Sequence, residues 1–108
     1  MQIKQGDLFP DVEVVVKNEV GAVVDVTGAT VLFYMRRARD PTSVKINGAA
    51  GAVVPPGTSG KIAYAWSGAD TDTPGTYEGE FRVTIGGTDP FRVPTSGYIV
   101  IEVEPKVA

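Results

Sequence analysis

Hydrophobic residues recur at every second position along most of this chain. Val12, Val14 and Val16 alternate with Glu13, Val15 and Lys17. In "ATVLFYMRR" Val31, Phe33 and Met35 share one face, and Leu32 and Tyr34 take the other. "KIAYAW" (61–66) sets Ile62, Tyr64 and Trp66 against Lys61, Ala63 and Ala65. "TYEGEFRVTI" (76–85) puts Tyr77, Gly79, Phe81, Val83 and Ile85 on one side and Glu78, Glu80, Arg82 and Thr84 on the other. "GYIVIEV" (97–103) turns Ile99, Ile101 and Val103 the same way. A period of two belongs to strands, whose successive side chains point to opposite faces. No stretch of ten residues carries a helical stripe with caps.

Thirteen glycines and eight prolines cut the pattern into short pieces. Asn18–Gly21 reads as a hairpin-like turn leading into a strand "AVVDV" (22–26), and Thr27-Gly28 as the next turn. Asn47-Gly48 predicts a hairpin between "SVKIN" (43–47) and "AAGAVV" (49–54), since both turn residues tolerate positive φ. "VVPPGTSG" (53–60) reads as a loop, because its two prolines remove two ladder donors. Seven to nine strands at this spacing predict a single Ig-like antiparallel β-sandwich over 1–108, without a disulfide. Its predicted core is Val14, Val31, Phe33, Tyr64, Trp66, Phe81 and Ile101. The predicted sheet edges are the segment "MQIKQGDLF" and the last strand, "YIVIEVEP".

Length and composition narrow the function. The 108 residues suit one domain, able to bury roughly 60 to 70% of its unfolded surface. There is no cysteine and no histidine, so thiolate zinc sites and the commonest general base are excluded. A net charge of −3 without a basic face argues against nucleic acid as a partner. No apolar run approaches the roughly 20 residues that span a bilayer, and "MQIKQGDLFP" lacks a signal peptide's apolar centre. The expectation is a protein made in the cytoplasm, with no membrane partner and no cofactor.

The densest polar stretch is "DTDTPGTYEGEF" (70–81). Asp70-x-Asp72 resembles the start of a calcium loop, but Pro74 stands at the fifth position and no Glu at the twelfth. Glu78 and Glu80 lie two apart on one strand face, roughly 7 Å from each other. Nothing in the pattern desolvates one of them to make an acid, and Arg82 stands beside them on the same face. A third reading uses more of the residues. In Ig-like sandwiches a tyrosine at the start of a late strand returns its hydroxyl to upstream backbone, the tyrosine corner. Here Asp70, Pro74, Gly75 and Tyr77 supply it, with Gly75 in the positive-φ position of a type II turn and Asp70 or Asp72 accepting turn donors. An antibody domain carries cysteine two residues after that tyrosine; this chain has Gly79.

Three segments resemble the Ig-like N-terminal domain of phage baseplate upper proteins and similar small phage tail proteins. The first is Asp25-Val-Thr27-Gly28-Ala29-Thr30-Val31-Leu-Phe33-Tyr-Met35-Arg36. The second matches at Gly60, Lys61, Tyr64, Trp66, Asp70, Thr71, Pro74, Gly75, Tyr77, Glu80 and Phe81. The third, Phe91-Arg-Val-Pro94-Thr-Ser-Gly97-Tyr98, departs from the family's adjacent Phe-Pro by two intervening residues. The similarity covers nearly all of 1–104. It implies a non-catalytic structural subunit of a virion (baseplate, tail, neck or head accessory protein) that docks through sheet edges and loops and is assembled in the host cytoplasm. Its implied partners are other phage structural proteins, with a possible homo-oligomer on the particle. Family members usually run on into a long C-terminal extension; the end at Ala108 implies a stand-alone decoration or adaptor domain, or a piece of a longer chain. The alternative is a carbohydrate- or host-surface-binding module using Tyr34, Phe91 and Tyr98 as its platform. Candidate interaction residues are Arg36, Arg37, Arg39 and Tyr98, with the arginines able to pair with Glu102 and Glu104 of another copy. Catalysis is not expected: no Gly-x-Ser-x-Gly elbow accompanies the serines.

Overall fold

A computed structural model describes residues 1–108 as a two-layer β-sandwich measuring 45 × 27 × 22 Å. Its strands are β1 (Gln2–Lys4), β2 (Val12–Val15), β3 (Thr30–Arg37), β4 (Val44–Ala50), β5 (Ala52–Val53), β6 (Lys61–Tyr64), β7 (Gly75–Thr84), β8 (Phe91–Val93) and β9 (Ile99–Glu104). One 3-10 turn, Gly57–Ser59, interrupts them. The larger sheet runs β1-β9-β7-β3-β4, with β8 also paired to β7; the smaller runs β2-β6-β5. β2 and β6 thus pair in one sheet and β9, β7 and β3 in the other, the two layers of a β-sandwich.

All strand pairs are antiparallel except one. β1 runs parallel to β9, with Gln2 opposite Glu102 and Lys4 opposite Glu104. The last strand, expected at an edge, is therefore covered, and the open edges of the large sheet are β1, β8 and β4. β8 and β9 flank the same side of β7, with Val93 opposite Phe81 and Ile99 opposite Gly79. Residues 94–98 are thus a short excursion between two strands that line one edge.

Two local expectations differ from the structure. Asn47-Gly48 makes no hairpin, because β4 continues through it along β3. Phe33 faces Ala49 and Tyr34 faces Asn47, so Gly48, at φ +79°, is the extra residue of a bulge. The chain changes sheets at Gly51 instead. A Cβ there would lie 2.8 Å from the Ala63 carbonyl and 2.9 Å from Val31. The segment 22–26 forms no strand, only a single bridge between Lys17 and Val23. The turn before it is held by Asn18 Oδ1, which accepts from the Val20 and Ala22 amides.

The core lies between the sheets. Val31, Phe33, Tyr64, Trp66, Phe81 and Ile101 are buried in it, as are Ile3, Val12, Val16, Val26, Met35, Ile62, Tyr77 and Val83. Val14 is half-buried and packs against this cluster from β2. Phe33 stacks on Tyr64 with ring centroids 4.8 Å apart and meets Phe81 at 4.9 Å and Trp66 edge-on at 6.1 Å. Gly79 makes this possible: a Cβ there would stand 2.9 Å from both Phe33 Cζ and Ile101 Cδ1. Where an antibody domain has a cysteine, this one leaves room for a ring.

Gly79→Ala is therefore expected to destabilise the sandwich by about 1 to 3 kcal/mol, the usual range for an overpacked core. Phe33→Ala is expected to cost about 3 to 5 kcal/mol. Urea denaturation of the two variants and the parent measures both.

Candidate functional site

Tyr77 opens the long strand β7 and is buried. Its hydroxyl donates to the Thr73 carbonyl at 2.8 Å, four residues upstream, which is the geometry of a tyrosine corner. Arg37 closes over it: the guanidinium lies 5.6 Å from the ring centroid, and Nη2 donates to the Pro74 carbonyl at 3.3 Å. Gly75 has φ +151°, far from the roughly +80° of a type II turn, so that expectation is corrected. Its missing side chain serves Arg37 instead, since a Cβ would meet the guanidinium at 3.0 Å.

The two aspartates of this stretch have separate duties. Asp70 Oδ2 accepts from the Tyr64 hydroxyl at 2.5 Å and the Ser67 amide at 2.9 Å. Burial, reinforced by that bond to a carboxylate, pushes the Tyr64 phenol up to about 12. Asp72 pairs with Lys45 at 2.6 Å, and bonds from Lys45 and then Thr73 hold its carboxyl below the usual range. Between them Thr71 is buried and donates to the Asp7 carbonyl at 2.9 Å. Trp66 Nε1 donates to the Pro10 carbonyl at 2.9 Å. These contacts tie the N-terminal segment to the loop before β7, so Trp66 and the Asp70 loop act in architecture.

The outward side of the large sheet is organised differently. Register sets a row across four strands: Val44 on β4, Arg36 on β3, Glu78 on β7 and Val100 on β9. The neighbouring row is Asn47, Tyr34 and Glu80. Arg36 Nε pairs with Glu78 at 3.2 Å, and Nη2 donates to the Tyr98 hydroxyl at 2.9 Å. The same guanidinium lies 5.0 Å from the Tyr98 ring centroid. Its bond to Glu78 raises the Arg36 pKa further. Arg92 repeats the device, 4.5 Å over the Tyr34 ring and 3.5 Å from Glu80. Both glutamates thus have arginine partners, Arg36 and Arg92, where the sequence suggested Arg82. Around the rows lies a shallow cleft of about 190 Å³, lined by Tyr34, Arg36, Val44, Glu78, Glu80 and Tyr98 among others.

Of the four candidate interaction residues, Arg36 and Tyr98 meet on this face. Arg37 is engaged at the tyrosine corner. Arg39 is exposed in the turn after β3, at φ +63°. The expected pairing of these arginines with Glu102 and Glu104 of another copy loses Arg36 and Arg37 to internal partners, and Glu104 lies 3.5 Å from Lys4. Arg92 and the paired role of Tyr34 escaped the sequence reading. Their only signal was parity, with Tyr34, Arg36, Glu78 and Glu80 all at outward positions of their strands.

No family model fits the chain, and neither a curated protein nor a solved structure was found that matches it.

Two outcomes test this geometry. Tyr77→Phe is expected to lose about 0.5 to 1.5 kcal/mol in chemical denaturation, with an unchanged circular dichroism spectrum, because the Thr73 carbonyl loses its donor. The parent is also expected to lose stability as pH rises from about 10 to about 12. Across that window an unfolded tyrosine releases its proton while folded Tyr64 retains it. Tyr64→Phe should flatten that part of the stability–pH curve, measured by denaturation at stepped pH.

Proposed function

We propose that this chain is a non-catalytic structural subunit of a phage particle, docking through the outward face of its large sheet. The carrying observation is the pair of arginine-clamped tyrosines. Arg36 on Tyr98 and Arg92 on Tyr34 hold large side chains in fixed positions before any partner arrives. Pre-ordered side chains lose less entropy on association, and tyrosine and arginine are enriched in interface centres. Val44, Tyr98 and Val100 remain 53%, 45% and 52% exposed around the cleft. The resemblance of the three segments to phage baseplate upper proteins supports a place in the baseplate, tail, neck or head.

A carbohydrate-binding module is the second reading, favoured by Asn47, Glu78 and Glu80 beside the two tyrosines in one cleft. It is weakened by the arginines, which occupy ring faces that a sugar would stack against, and by the carboxylates' existing partners.

Mass spectrometry of purified particles from the encoding phage should find the chain among the virion proteins. Val100→Glu combined with Tyr98→Ala should leave the circular dichroism spectrum and cooperative unfolding intact and reduce incorporation by at least about tenfold, the equivalent of roughly 1.4 kcal/mol. Absence from virions overturns the reading. Glycan-array binding abolished by the same double variant replaces it with the second.

A further inference from the structure

The small sheet ends on an unpaired strand. β2 pairs with β6 on one side, and no strand is hydrogen-bonded along its other side. The Val16 amide donates to the Gly60 carbonyl at 2.8 Å, which fixes the phase of the antiparallel ladder: Val12, Val14 and Val16 bond toward β6. The backbone groups of Glu13 and Val15 point to the open side. Such an edge is a template for another strand, and proteins usually blunt it. The other open edges are blunted: β4 is bulged at Gly48, β5 has two residues, and β1 and β8 have three each. β2 is regular over its four residues.

A second observation lies beside it. Between β2 and β8, where the two sheets part, is a groove of about 500 Å³ lined by Val15, Val16, Val24, Phe91, Val93 and Pro94 among others. An extended segment lying against β2 would turn alternate side chains into this groove and bond its backbone to Glu13 and Val15. The charges of this strand and its flanks are unbalanced. Asp11, Glu13 and Glu19 are exposed or half-buried there, against Lys17, which also lines the groove, and Lys61 opposite Val15 on β6.

We propose that the β2 edge is a strand-addition site for an extended segment of another protein, with alternating apolar residues facing the groove and lysine or arginine between them. The apolar positions fill the space beside Phe91 and Val93, and the cations meet Glu13 and its neighbours. A second copy of this chain fits less well, because it would bring the same acidic excess to the seam. The site opens at the side of the sandwich, between β2 and the inward residues of β8, and shares no lining residue with the cleft of the arginine–tyrosine face, so it stands or falls separately from docking through that face.

The test uses the intact protein and a capped peptide of about seven residues, the length of an ordinary strand, alternating valine and lysine. Amide hydrogen exchange is followed by NMR. Glu13 and Val15 should exchange rapidly in the free protein and at least about tenfold more slowly with millimolar peptide. A peptide of the same sequence with alternate backbone nitrogens methylated should give no protection, and neither should one with glutamate for lysine. Glu13→Lys, a change at an exposed side chain, should weaken the lysine peptide and admit the glutamate peptide. Unchanged exchange at Glu13 and Val15 overturns the proposal, as does equal protection by the methylated peptide. Protection that grows with protein concentration without peptide assigns the edge to a second copy and overturns the partner named here.

Discussion

The ring of Phe33 over Gly79 is the constraint on which the sandwich depends. Phe33 comes from β3 and Gly79 from β7, adjacent strands of the large sheet, while Tyr64 and Trp66 reach across from the small sheet. A cross-linked Ig domain joins its two sheets covalently, through a cysteine two residues after the corner tyrosine. Here aromatic stacking and burial join them instead. The arrangement needs every ring in place at once, because each fills space that a backbone without side chains leaves open. Gly79 on the large sheet and Gly51 at the crossover are two of the positions where absence of a side chain is itself structural.

The same strand carries both faces of the molecule. Along β7, Tyr77, Gly79, Phe81 and Val83 build the interior, and Glu78 and Glu80 anchor the arginine–tyrosine pairs outside. The rigidity of the outer rows therefore derives from the inner packing. Moving β7 by one residue would exchange its core residues for its carboxylates. Tyr77 and its bond to Thr73 fix where the strand starts, and the register follows from that point.

Much of this was legible in the sequence. Strict alternation in 61–66, 76–85 and 97–103 reveals three strands and their inward faces, because a period of two leaves one choice per strand. Asp70 to Tyr77 shows a corner because its turn residues precede an aromatic at the head of a strand. Other features were hidden for physical reasons. Asn47-Gly48 carries the local chemistry of a turn, but that chemistry equally suits a bulge, and pairing with β3 decides between them. The run from Ala22 to Val26 is rich in β-branched residues, yet only Val23 finds a bridge partner. A strand needs a neighbour to complete its ladder, and propensity alone does not supply one. Arg36 and Tyr98 are 62 positions apart, and Arg36 and Glu78 are 42 apart. Contacts of that range depend on register, which no local pattern records.

The parallel pairing of β1 with β9 has a mechanical meaning. The Glu102 amide bonds to the Met1 carbonyl and the Gln5 amide to the Glu104 carbonyl, at 2.9 and 2.8 Å. Tension applied at the two ends of the chain pulls these strands past each other along their length. Bonds lying across that direction are loaded together, in shear, and must yield as a group. An antiparallel pair joined at a hairpin would open from one end, one bond at a time. The first and last strands form a clasp that resists stretching, a useful property in any assembly that transmits force.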